Sequence, residues 1–134
     1  MKSYYTHLKS TNEYGEKSTL TKKPILRSSG IFPVIHNSDY STKIHFLGYW
    51  LLKRKIPEVS LTITLRDRSG NTLLRELEII NETKAYTIIL KELLEKINYN
   101  SEFIGSIETE FNTTRDMVFP YPALVLEYFN ENHF

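Results

Sequence analysis

The sequence predicts an all-β fold: an antiparallel β-sandwich, Ig-like or jelly-roll-like, of seven to eight strands with one short helix near 91–97. Three observations support this. Residues 59–66 alternate strictly between apolar and polar side chains. Short apolar runs recur with turn-forming residues between them. The repeated strand–helix units that would indicate a parallel sheet are absent. A closed barrel is the main alternative, because it has the same local pattern.

Length and charge limit the domain organisation. The chain has 134 residues and a net charge of +1, which predicts one domain over 18–134 after a flexible arm over 1–17. Up to Gly30 there are six Lys and Arg against two Glu. This basic segment is either an electrostatic docking tail or a solvated terminus. The balanced total charge argues against a nucleic-acid partner.

Cysteine is absent, which excludes disulfides, cysteine nucleophiles and thiolate metal sites. No window approaches the ~18 apolar residues of a membrane span, and the first residues lack the apolar region of a signal peptide. We therefore expect a cytoplasmic protein without a membrane partner.

The first half of the chain predicts edge strands followed by a buried strand. Segments 18–26 and 30–35 are short β-type runs, each with a proline that disfavours a central position in a sheet. A loop over 36–43 follows, rich in turn-forming residues. Residues 43–52 are apolar on both alternations, which predicts a strand covered on one face by the other sheet and on the other by the arm or a neighbouring subunit.

The second half predicts a hairpin and further strands. Strand 59–67 turns at Gly70 into strand 72–80. Strands are also expected over 85–90, 103–111 and 122–129, with the helix over 91–97 as the only helical candidate. Pro120 and Pro122 fix an extended lead-in to the last strand, because proline restricts φ and lacks an N–H.

Candidate catalytic and metal-binding residues are few. His36, Asp39 and His45 lie within ten residues but lack the close spacing of metal ligands, so we expect neither a metal nor another cofactor. Glu108 and Glu110 share a strand face at roughly 7 Å, near the separation used by inverting glycosidases. The simpler interpretation is a solvated sheet face. No catalytic residue is assigned.

Aromatic residues and nearby polar residues, most of them in loops or at the entry to a strand, give the candidate ligand-binding set. Its members are His36, Asp39, Tyr40, Trp50, Arg115, Phe119 and Tyr121.

We predict a non-catalytic binding module that mediates protein–protein contact or self-association. The alternative is a carbohydrate-binding module using Tyr40, Trp50 and Tyr121 as stacking platforms, although Trp50 also suits a core position. A third possibility is a small hydrolase or metal-dependent enzyme built on His36, Asp39, Glu108 and Arg115.

Overall fold

The computed structural model describes residues 23–118 and 123–130. The predicted arm over 1–17, the beginning of the predicted strand 18–26 and the Pro120–Pro122 lead-in lie outside this range. The elements, in chain order, are β1 (Arg27–His36), β2 (Ser41–Leu47), α1 (Tyr49–Lys53), β3 (Val59–Asp67), β4 (Thr72–Ile80), β5 (Ala85–Ile89), α2 (Leu90–Lys96), β6 (Phe103–Asn112) and β7 (Leu124–Phe129).

The strands form two antiparallel sheets, which confirms the predicted all-β sandwich. One sheet has the order β1-β6-β3-β4 and the other β5-β2-β7. In chain order, every connection between successive strands changes sheet except the one between β3 and β4. Within the described ranges, no helix is long and apolar enough to cross a membrane.

The core lies between the sheets, where the period-two pattern predicts it. The apolar side chains of β3 are all at most 3% exposed: Val59, Leu61, Ile63 and Leu65. The rings of Phe46 on β2 and Phe111 on β6 meet edge to face at 5.3 Å between centroids, which joins the two sheets. The alternation predicted for β3 is confirmed.

The prediction of one strand over 43–52 is wrong. β2 ends at Leu47, and after Gly48 the chain forms the single turn of α1, in which the Leu51 N–H donates to the Gly48 carbonyl at 3.2 Å. A Cβ on residue 48 would lie 2.7 Å from the Glu82 carbonyl oxygen, so only glycine fits this close approach. The turn sends Trp50 into the core and leaves Leu47 58% exposed. The doubly apolar pattern therefore no longer supports an interface.

The prediction for Pro33 is confirmed, because β1 is an edge strand of the four-stranded sheet. Residues 23–26, by contrast, are not in a strand. The Ile25 N–H donates to Asp116 Oδ1 and the Ile25 carbonyl accepts from the Met117 N–H, both at 2.8 Å. This segment is therefore hydrogen-bonded to the connection between β6 and β7. The predicted helix is also present, as α2, and begins one residue earlier than expected.

Asp67 organises the β3–β4 hairpin. Its Oδ1 accepts the backbone N–H groups of Ser69 and Asn71 at 2.9 Å each, and Gly70 has φ +87°. The hydrogen bond from the Asn71 N–H is the main cause that lowers the pKa of Asp67, since hydrogen bonds to a carboxylate favour its charged form.

Acid is expected to weaken this hairpin. With a pKa lowered in the folded state, Asp67 stabilises the fold fully above its unfolded pKa of about 4, and this contribution is lost as pH falls through the folded pKa. In urea titrations, wild type should therefore lose stability relative to Asp67→Asn as the pH is lowered from 7 to 3. A difference that does not change with pH would contradict this, because the asparagine keeps the acceptor but carries no charge.

Candidate interaction surface

The outer face of the four-stranded sheet combines paired charges with exposed aliphatic side chains. Residues that are opposite each other in register share a face. Two rows of paired residues cross this face. Glu108 lies opposite Ile31 and Thr64 in one row, and Glu110 lies opposite Ser29 and Thr62 in the other. We call this surface the Arg–Glu face; its charged and aliphatic members are Arg27, Ile31, Arg66, Arg75, Leu77, Ile79, Glu108 and Glu110.

Arginines hold both glutamates of this face. Arg66 Nη1 donates to Glu108 Oε1 at 2.8 Å. Arg27 donates to Glu110 Oε2 from Nη2 at 3.0 Å and from Nε at 3.2 Å. Arg75 lies 3.9 Å from Glu110. Three arginines thus face two glutamates, which leaves one surplus positive charge.

Glu108 and Glu110 lie on the outer, solvent-facing side of the sheet, as the simpler interpretation expected, but their side chains are largely covered. Their side chains are only 14% and 16% exposed, because the longer arginine side chains lie against them. Both carboxylates accept hydrogen bonds from guanidinium groups. The arginine network thus gives the pair a structural role.

Exposed aliphatic residues flank the charges on both edge strands. Ile31 on β1 is 64% exposed, and Leu77 and Ile79 on β4 are 65% and 44% exposed. Single exposed aliphatics are common, but several on one flat face around a polar centre are typical of protein-binding surfaces.

Three of the predicted site residues lie together at one end of the sandwich. His36 ends β1, and Asp39 and Tyr40 belong to the loop that follows. An open cleft of about 350 Å³ lies beside them, lined among others by His36, Arg68, Tyr99 and Glu102. His36 Nδ1 is 2.9 Å from Ser41 Oγ, and Tyr40 is half exposed.

The other predicted site residues do not join them. Arg115 lies at the opposite end of the ten-residue β1–β6 pair, about 30 Å away. There its Nη1 donates to the Lys55 carbonyl at 3.2 Å, beside a second open cleft of about 430 Å³. Phe119 and Tyr121 lie outside the described residues. The set predicted from sequence is therefore not one site.

The prediction of Trp50 as a ligand-binding residue is wrong. Its side chain is 0% exposed and its ring lies 4.7 Å from that of Phe111 and 4.5 Å from that of Tyr49. The turn of α1 points it into the core, so it cannot stack on a ligand at the surface.

Histidines do not assemble a metal centre in the part of the chain that the structure describes, where no group of three His, Cys, Asp or Glu is placed to hold an ion. His45 points outwards from the three-stranded sheet. There its ring nitrogens lie 3.0 Å from Thr87 Oγ1 and 2.9 Å from Glu127 Oε1.

Sequence reasoning missed the arginines and aliphatics of the Arg–Glu face. Arg66 ends one alternating strand and Glu108 lies within another, so pairing those two strands with each other would have placed them together. Comparison of the chain with protein-family models, with curated proteins and with solved structures found no match.

Proposed function

We propose that this chain is a non-catalytic protein-interaction module that binds its partner through the Arg–Glu face. The observation that carries this proposal is the arrangement of that face: Ile31 and Leu77 are each about two-thirds exposed and border a network with one arginine in excess.

The charge network adds specificity to apolar contact. A partner that brings a carboxylate balances the surplus arginine, and guanidinium groups suit carboxylates because of their planar, forked donors. Arg27 and Arg75 are 52% and 61% exposed, so their side chains remain reachable from solvent. The partner expected is thus a protein surface with aliphatic and acidic residues, including a second copy of this chain.

A carbohydrate-binding module has less support. Stacking on sugar rings needs exposed aromatic faces. Of the platforms expected from sequence, Trp50 is in the core and only Tyr40 is exposed among the described residues.

A charge placed on the Arg–Glu face tests the proposal. Leu77→Arg should reduce partner retention or self-association at least about tenfold, because it places a charge where the apolar contact is proposed, and burying that charge against aliphatic side chains is costly. Leu47→Arg is the matched control, since Leu47 is similarly exposed on the other sheet. The measurements are sedimentation velocity and quantitative cross-linked pull-down from the source organism.

The two variants have to differ for the proposal to stand. We expect wild type and Leu47→Arg to retain the same protein or form the same oligomer. The proposal would be refuted if wild type is a monomer and Leu77→Arg retains every protein that wild type retains.

A further inference from the structure

The open edge of β1 divides into protected and unprotected parts. Within residues 23–118 and 123–130, β1 pairs with β6 on one side and with no strand on the other. Because backbone groups alternate in direction along a strand, every second residue directs its N–H and C=O away from β6. The contacts of Ile35 and Pro33 identify this set as the odd-numbered residues.

Side chains cover the C-terminal end of this edge, at Pro33 and Ile35. Thr42 Oγ1 accepts the Ile35 N–H at 3.0 Å and donates to the Ile35 carbonyl at 2.8 Å. The Tyr128 hydroxyl donates to the Pro33 carbonyl at 2.6 Å, and Pro33 has no N–H to offer. Proline and covering side chains are the usual protection of an edge strand against a further strand.

The N-terminal end of the edge, at Ile25, is covered as well, by the connection between β6 and β7. As described for the fold, Ile25 gives its N–H to Asp116 and its carbonyl accepts from Met117. Between these two ends lie Arg27, Ser29 and Ile31. Their outward backbone groups have no backbone partner among residues 23–118 and 123–130. Among the residues that the structure describes, three N–H and three C=O groups at strand spacing on this edge therefore have no backbone partner.

We propose that this edge, Arg27–Ile31, receives an extended segment of the partner protein as an added β-strand. This proposal rests on the proposed protein-interaction function and specifies how the partner would bind. The backbone of an extended segment matches the alternating donors and acceptors, and its alternate side chains determine specificity. A carboxylate beside Arg27 and an aliphatic side chain beside Ile31 would complete the Arg–Glu face, where arginine is in excess.

Ser29→Pro tests the added strand with little effect on the fold. The Ser29 N–H points away from β6, so proline removes a donor only from the open edge, as Pro33 already does in the same strand. Ser29→Thr is the matched control, because it keeps both the N–H and a hydroxyl for Arg27 Nη1, which donates to Ser29 Oγ at 3.0 Å.

The probe is a short blocked peptide of alternating valine and threonine with one central glutamate, titrated into ¹⁵N-labelled full-length protein. We expect the amide signals of Arg27, Ser29 and Ile31 to shift in wild type and in Ser29→Thr. Ser29→Pro should bind at least about tenfold more weakly, since it loses a central hydrogen bond and introduces a ring into the interface. Comparable circular dichroism and urea midpoints would show that the variant remains folded.

The proposal would be overturned by no peptide binding to wild type at about 1 mM, by equal affinity for Ser29→Pro, or by shifts that map elsewhere. Slow solvent exchange of the Ser29 amide in the free full-length protein would overturn it too, since the edge would then already be occupied. A partner whose retention is lost with Leu77→Arg but unaffected by Ser29→Pro would leave the proposed function standing while excluding the added strand.

Discussion

Replacement of Trp50 by alanine is expected to lower the free energy of unfolding by about 4 kcal/mol, the usual cost of truncating a large buried aromatic side chain. Trp50 is fully buried and packs against the rings of Phe111 and Tyr49. Alanine would remove these contacts and leave a cavity that a sandwich of two sheets cannot readily close. Since a domain of this size is typically stable by only 5–15 kcal/mol, much of its stability would be lost.

Urea denaturation followed by far-UV circular dichroism measures this effect, with Tyr40→Ala as control. Tyr40 is an exposed aromatic in the loop after β1, so its truncation should change stability by less than about 0.5 kcal/mol. Equal midpoints for Trp50→Ala and wild type would show that Trp50 is not in the core and would return it to the candidate binding residues.

The strands could be predicted because most of them are amphipathic on their own. β3 shows its buried and exposed faces in its alternation, and β4 follows after a turn whose glycine has positive φ. The end of β2 could not be predicted in the same way. The apolar run continues past Leu47, but β2 ends there, next to Gly48, where the carbonyl of Glu82 from a distant part of the chain approaches too closely for any residue with a Cβ. Local periodicity carries no information about such a contact.

The candidate surface was harder to predict for a related reason. Arg27, Glu110 and Arg75 are far apart in the sequence and meet only because β1, β6, β3 and β4 are neighbours in that order. Single residues in loops, such as His36 and Arg115, attract attention in a sequence, but strand order decides which residues share a surface. Here it places those two at opposite ends of the sandwich and assembles a charged face from residues that look ordinary individually.

Gly105→Ala is expected to destabilise the protein by about 3 kcal/mol, although glycine inside a strand normally costs stability relative to alanine. The sign is reversed here by a close approach within the sheet. A Cβ at residue 105 would overlap the carbonyl oxygen of Arg66 on β3 and lie 2.7 Å from the ring of Phe103. The backbone carbonyl cannot move aside without disturbing the β3–β6 pairing, so the strain falls on the pairing itself.

The neighbouring residue provides the control for this variant. Ser106 lies on the outer face of β6, and Ser106→Ala should change the free energy of unfolding by less than about 0.5 kcal/mol. If Gly105→Ala is instead as stable as wild type or more so, the predicted overlap does not exist and intrinsic propensity decides the position. A loss confined to Gly105→Ala would show that the close approach of the Arg66 carbonyl and the Phe103 ring, rather than intrinsic propensity, requires glycine at this position.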